Sequence, residues 1–378
     1  MKATEAGQQM TVKRPKLKHS IIDCDIHHYT GMNVIKPYLP REYRELVDTY
    51  GAALPGGMHF NGGVGGRMVD SFPPAGGPAG SDLAYMQEHH LDPHNVEYGI
   101  LTGEGMGMHG TINHDYAAAL CTAVNEYTIE HWLAQDSRLK GSVFIPKQEP
   151  NLSAQEIDRI GGRADMAQVI VSSGSIFPYG NRYYNPIYEA CVRHNLPFTI
   201  HVGGEGNGVN AAPTGAGHVT HYIESRAARP QVMMAHLASF IFEGVFERFP
   251  TLKVVLQEAG VFWIAPYLWR LDQDWKALRV QTPWVKKKPS EYFRTNVRVT
   301  TQPIEITPNR EVFDQMMDSI FAKETLMFCS DYPHWDFDSP LKALPKLDND
   351  LWNRVFYQNA ADIYSLPSRK AERDGKQS

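Results

Sequence analysis

Ile21-Ile-Asp-Cys-Asp-Ile-His-His28 is an apolar run that finishes in acid and imidazole. Its composition reads as a buried first strand, and the turn after a first strand separates two architectures. An open doubly wound sheet needs glycines there to cradle a phosphate. This turn holds Asp25, His27 and His28 instead. Working outward, the hydrophobic pattern predicts strands over 19–28, 96–101, 139–146, 164–171, 197–201, 252–258, 297–300 and 325–330. Between and around them it predicts helices over 37–50, 82–90, 115–134, 154–160, 185–192, 226–248, 262–278, 310–320 and 352–363. Strand–helix alternation returns each strand parallel to the last, and eight such units imply a (β/α)8 TIM barrel in a single domain. The expected boundaries are a flexible basic arm over 1–18, one domain over 19–366 and a charged tail over 367–378. A Gly/Pro-rich insertion after strand one, over 51–81, reads as a lid or a long surface loop. Its glycines follow no strand and carry no nucleotide-binding pattern.

Composition narrows the partners. Of 378 residues, 42% are hydrophobic and 21% charged, the balance of an ordinary globular chain with room for an extensive core. A formal charge of −5 gives no reason to expect nucleic acid or an anionic membrane as partner. No run approaches the roughly 18–20 apolar residues of a membrane span. Lys13, Arg14, Lys16 and Lys18 are not followed by an apolar segment, so no secretory signal is expected. Cys24, Cys121, Cys191 and Cys329 form no CxxC pair and read as thiols of a reducing, cytoplasmic location.

Barrel chemistry collects at the C-terminal ends of strands. Strand one ends in Asp25 and His27, strand five in His201, strand six in Glu258 and strand eight in Asp331, with Glu104 just past strand two. Carboxylates and imidazoles converging from several strands are the donors of a divalent transition metal. Side-chain alternation predicts Asp23, Asp25 and His27 on one face, with Cys24, Ile26 and His28 on the other. The alternative for Asp25 and His27 is a buried ion pair. His201, followed by Gly203 and Gly204, reads as a further ligand. Asp331 reads as a ligand that also accepts a proton from metal-bound water, unless it only braces the Tyr332-Pro333 turn. Glu258 can be a neighbour of a helix N-cap, an acid/base or a bridge to a second metal. His236, in an apolar helical stretch, is a core histidine or a catalytic one reached by the first turns of its helix. His334 can support the metal or brace the turn. His218 and His221 are candidate substrate contacts.

These residues resemble the amidohydrolase superfamily, in the branch that includes aminocarboxymuconate semialdehyde decarboxylase and γ-resorcylate decarboxylase. The resemblance spans roughly residues 20–366. Its most specific pieces are Asp25-Ile-His27, His201, Gly244-Val-Phe-Glu-Arg-Phe-Pro-Thr-Leu-Lys253, Pro266-Tyr-Leu-Trp-Arg-Leu-Asp272 and Ser330-Asp-Tyr-Pro-His334. It implies a metal held by Asp25, His27, His201 and Asp331, with one Zn²⁺ per chain. One position departs from the pattern: the decarboxylases carry a catalytic histidine where this chain has Glu258. A carboxylate cannot help hold a substrate carboxylate as a cation does, although it can shuttle a proton if its pKa is raised. The expected function is therefore a metal-dependent hydrolase or carboxy-lyase acting on a small organic acid or amide. The runner-up is a dinuclear Fe or Mn oxygenase similar to a 2-aminoisobutyrate hydroxylase, with Glu258, and in that reading His236, completing the metal pair. A third reading is a metal-binding non-catalytic subunit. Barrels of this branch commonly pair, so the expected assembly is a homodimer or a hetero-oligomer with a homologous subunit.

Overall fold

Eight apolar runs become short parallel strands because sheet neighbours cover their edges and helices cover their outer faces. The computed structural model describes residues 17–52, 66–104 and 106–367. Most of the basic arm, the centre of the insertion and nearly all of the tail lie outside the described residues. The strands are β1 (Ile21–Ile26), β2 (Val96–Leu101), β3 (Leu139–Phe144), β4 (Met166–Ser172), β5 (Phe198–His201), β6 (Val254–Gln257), β7 (Val297–Thr300) and β8 (Leu326–Met327). They pair in sequence order, every pair parallel. Closure comes from β8 back to β1. The Cys24 N–H donates to the Phe328 carbonyl at 3.1 Å and the His27 N–H to the Tyr332 carbonyl at 2.7 Å. The fold is the expected (β/α)8 barrel, and closure brings the chain's two acid–imidazole motifs side by side.

The main outer helices are α1 (Arg41–Tyr50), α2 (His114–Thr128), α3 (Pro150–Ile160), α4 (Asn185–Arg193), α5 (Tyr222–Phe242), α6 (Ile264–Leu278), α7 (Arg310–Ser319) and α8 (Asn359–Ile363). One apolar cluster fills the layer between strands and helices, with Ile21, Ile26, Leu101, Val143, Leu120 and Phe240 among its members. A second includes Ile22, Cys24, Tyr98, Ile100, Ala167, Val255 and Met327, joined by Ala360, Ile363 and Tyr364 from the last helix and its end. The Tyr364 hydroxyl donates to Gln168 at 2.8 Å. All four cysteines are buried and unpaired. Among the described residues no helix is long and apolar enough to cross a membrane.

Three expectations change. The predicted helix over 226–248 starts earlier, at Tyr222, and stops at Phe242, where Gly244 at φ +72° breaks it before the turn Val245–Arg248. The predicted strand over 325–330 pairs with β7 only through Leu326–Met327. Beyond that its backbone serves β1 and the C-terminal helical segment, the Phe328 N–H donating to the Val355 carbonyl at 2.8 Å. The alternation through β1 also fails. Its register against β2 slips between Asp23 and Ile26, so one residue is bulged out of the pleat. Asp23 consequently leaves the Asp25 side. It accepts from Ser330 Oγ at 2.6 Å and pairs with His90 Nε2 at 2.8 Å.

Candidate metal centre

Asp25, His27, His201, Glu258 and Asp331 meet at the C-terminal mouth of the barrel, all of them buried. His27 Nε2 lies 3.3 Å from Asp25 Oδ1 and 3.0 Å from Asp331 Oδ1. His201 Nε2 lies 3.4 Å from Asp25 Oδ2 and 3.3 Å from Glu258 Oε2. Both histidines are oriented from behind. His27 Nδ1 donates to the Gly103 carbonyl at 2.6 Å and His201 Nδ1 to the Val202 carbonyl at 2.8 Å. Each bond points Nε2 into the cluster and, in the neutral ring, fixes the tautomer that leaves a lone pair there. Asp25 Oδ2, His27 Nε2 and His201 Nε2 are buried without a hydrogen-bond partner, and Asp25, His27 and His201 offer ligand atoms within 4.8 Å of one another. Buried polar atoms left without partners are costly, and three converging on one point fit a divalent cation.

The surroundings reinforce the fit. The Thr102 hydroxyl donates to Asp25 Oδ1 at 2.6 Å. His334 bonds Asp331 Oδ1 through Nδ1 and meets the His27 ring edge-on at 4.2 Å between centroids. Glu258 and Asp331 both sit in the left-handed backbone region, at φ +64° and +58°. Strain of that kind in a glutamate persists where the site over-determines it. Burial alone would lower the pKa of His27, but the carboxylates of Asp25, Asp331 and Glu104 outweigh it and lift the ring to about 10. The pocket's field favours positive charge. Burial pushes the Glu258 carboxyl up; the Arg229 guanidinium opposes this without cancelling it. For Asp331, burial raises the pKa but His334 and His27 prevail and hold it well below the usual carboxylate range.

The rim is built by loops. The described end of the Gly/Pro-rich insertion lies against the site, with the Met68 N–H donating to the Pro333 carbonyl at 3.0 Å and Arg67 pairing with Glu104 at 3.1 Å. Gly80, at φ +73°, packs so closely that a Cβ would come within 2.5 Å of the His27 carbonyl, a position only glycine fills. His236 is a correction. Its Nδ1 accepts from the Tyr179 N–H at 3.1 Å and its Nε2 donates to the Ser173 carbonyl at 2.8 Å. Both ring nitrogens are occupied by backbone, which leaves none for a metal or a proton transfer. His221 is exposed and caps α5 with Glu224. Two arginines went unread. Arg229 of α5 bonds Glu258 Oε1, and Arg226, one turn earlier, bonds Asp336. Their spacing of three on a helix that follows β5 was the available signal.

The amidohydrolase family profile matches residues 22–366. A γ-resorcylate decarboxylase of Polaromonas sp. (strain JS666) is 24% identical over 262 residues, covering 66% of this chain and 76% of its own. Its counterpart from Rhodococcus jostii (strain RHA1) is 25% identical over 256 residues, covering 64% and 75%. Among solved structures, the 5-carboxyvanillate decarboxylase of Novosphingobium aromaticivorans was crystallised with manganese and 4-hydroxy-3-methoxy-5-nitrobenzoic acid. It superposes with a TM-score of 0.68 at 19% identity over 95% of this chain and 100% of that one, a likeness of fold. The family match spans the whole barrel, from the first strand to the last helix, and this chain is therefore a member of the amidohydrolase family, an enzyme of that superfamily.

Proposed function

We propose that the chain is a metal-dependent carboxy-lyase that decarboxylates a small aromatic acid. The observation that carries this reading is the set of three buried, partnerless ligand atoms on Asp25, His27 and His201. The decarboxylase names of its curated relatives support the reaction class. Asp25, His27, His201 and Asp331 would hold one divalent ion, and a mixed oxygen and nitrogen donor set accepts Mn²⁺ as well as Zn²⁺. Once bound, the ion supplies Lewis-acid charge for oxygens of the substrate.

The chain's own groups do the rest. Decarboxylation replaces the carboxylate by a proton: a C–H bond forms, the C–C bond to the carboxylate breaks, its electron pair returns to the ring and CO₂ leaves. Glu258, buried beside His201, is the proton donor in this reading, and Arg229 fixes its carboxyl from the far side. A buried acid held in place is suited to that transfer. The loop at Arg67–Met68 lies beside the mouth, held by the Met68 bond to Pro333 and the Arg67 pair with Glu104.

The reading is tested by loading the purified protein with Mn²⁺ or Zn²⁺ and following CO₂ release from a panel of hydroxylated benzoates. Turnover of at least one panel member is expected. Glu258→Gln should lower kcat by about 10²–10⁴-fold while metal content stays unchanged. Fully loaded protein that releases no CO₂ from any of the panel, or a Glu258→Gln variant of full activity, would count against it.

A further inference from the structure

Behind the metal centre lies a second buried cluster that the proposed reaction does not use. A π-helical turn over Gln87–Leu91, a wide turn of a kind often found at functional sites, carries His90 inward ahead of β2. His90, Asp23 and Ser330 are all fully buried. Asp23 Oδ2 accepts from His90 Nε2 at 2.8 Å and from the Ser330 hydroxyl at 2.6 Å. Its Oδ1 accepts from the Ser330 N–H at 2.9 Å and from the Asp25 N–H at 3.3 Å. The Ser330 hydroxyl in turn accepts from the Tyr332 N–H at 3.1 Å, and the His90 ring stacks on the Tyr332 ring at 4.5 Å between centroids. His94 Nδ1 stands 3.2 Å from His90 Nδ1. Whichever of those two nitrogens holds the shared proton, His90 Nε2 is left as the donor to the Asp23 carboxylate.

We propose that His90 is a positioning residue for the site, acting through Asp23 to set the turn that carries Asp331. Asp331 sits between Ser330 and Tyr332 at φ +58°, a left-handed conformation that persists where its surroundings impose it. Both of its neighbours are tied to the cluster, Ser330 by its N–H and hydroxyl and Tyr332 by its N–H and ring. On β1 the same Asp23 carboxylate holds the Asp25 N–H, and the Tyr332 carbonyl accepts from the His27 N–H at 2.7 Å. Backbone beside Asp25, His27 and Asp331 is thus fastened through one carboxylate. His90 is the donor that reaches it from outside those two segments. A carboxylate at this depth needs its donors, so removing the His90 N–H frees Asp23 to turn and slackens both segments at once. The inference rests on the metal site proposed above.

The test separates the His90 N–H from the ring that carries it. His90→Gln puts an amide N–H where Nε2 stood and loses the ring. His90→Phe keeps a ring against Tyr332 and loses the donor. Mn²⁺ affinity, read by competition with a fluorescent chelator, should fall about 10–100-fold in His90→Phe and stay within about threefold of wild type in His90→Gln. In metal-free protein the His27 amide should exchange with solvent about tenfold or more faster in His90→Phe, and at the wild-type rate in His90→Gln. Circular dichroism confirms that each variant is folded. Ser330→Ala, which removes the hydroxyl between Asp23 and Tyr332, should follow His90→Phe on both readouts and decides the point if that variant does not fold. A role in packing alone predicts the reverse order, with Phe tolerated and Gln not, and that order would overturn the proposal. So would wild-type affinity and exchange in His90→Phe or in Ser330→Ala. Amide exchange needs no metal, so it still decides the inference if the wild type binds no Mn²⁺, the result that removes the metal site itself. A wild type that binds Mn²⁺ and releases no CO₂ would sink only the decarboxylase reading.

Discussion

Thr102 influences the metal centre without being a ligand. Its hydroxyl donates to Asp25 Oδ1, leaving Oδ2 as the oxygen that faces His201. Thr102→Val preserves shape and removes the donor, so Asp25 loses the bond that orients it. Metal affinity is expected to fall about 10–100-fold, read by competition with a fluorescent chelator. An affinity within about twofold of wild type would show that Asp25 is oriented by other contacts. Asp25, His27, His201 and Asp331 were legible as candidates because each ends an apolar run, where strand direction and depth constrain a side chain. Arg229 was not legible in the same way. It lies 29 residues from Glu258 in a helical stretch where an arginine ordinarily faces water. Nothing local reveals that this face of α5 turns toward the barrel mouth. His236 misled in the opposite sense: its apolar surroundings were visible, but the backbone groups that saturate its ring come from the loop after β4.

Asn125 joins three elements. From α2 its Nδ2 donates to the Phe144 carbonyl at 2.9 Å and to Glu156 of α3 at 2.6 Å, while its Oδ1 accepts from the Phe144 N–H at 2.9 Å. The amide thus satisfies the end of β3 just below the site. Asn125→Ala would leave a buried N–H and a buried carbonyl without partners and cost about 2–3 kcal/mol, measured as a lower urea midpoint at unchanged slope. For comparison, Asp82→Ala removes an N-cap that accepts from the Tyr85 N–H at 2.9 Å, a loss of about 1 kcal/mol. If the two variants were equally stable, α2 would not be held to β3 through this amide. At this scale the sequence was most readable where periodicity was strong: most helices fall within a few residues of expectation. It failed where pairing overrides pattern. The bulge in β1 depends on how β2 aligns beside it, and β8 is short because its backbone is shared with β1 and the C-terminal segment. Neither neighbour is present in the local sequence.

The barrel as a whole was readable from the count of alternating units, because parallel strands joined by helices have few ways to close. Its response to acid follows from histidines that the barrel buries without charge. His28 is bonded to Thr128 at 2.7 Å and packs edge-on to Trp132; burial, aided by His27, pushes its pKa down to about 3. Burial takes His236 to about 4 and holds His109 well below the ordinary imidazole range, with Lys147 adding to it. A folded-state pKa below the unfolded value means that the unfolded chain binds the proton first. Stability from these groups is therefore complete above about pH 6.5 and declines as pH falls toward about pH 4. Each group contributes about 1.4 kcal/mol per pH unit across that window. Between about pH 7.5 and about pH 5, His28 and His236 together should remove about 4 kcal/mol and His109 adds to the loss, while His27 and His201, whose pKa values are raised in metal-free protein, return part of it. Asp25 and Asp331, whose pKa values are depressed, act only at lower pH, as their carboxylates begin to protonate. Urea titrations of metal-free protein across this range should show the decline. His236→Gln, in which no ring can be protonated, should lose about 2 kcal/mol less over the same interval. A stability flat from about pH 7.5 to about pH 5, or a His236→Gln variant with the wild-type slope, would mean that these histidines take up protons within the fold.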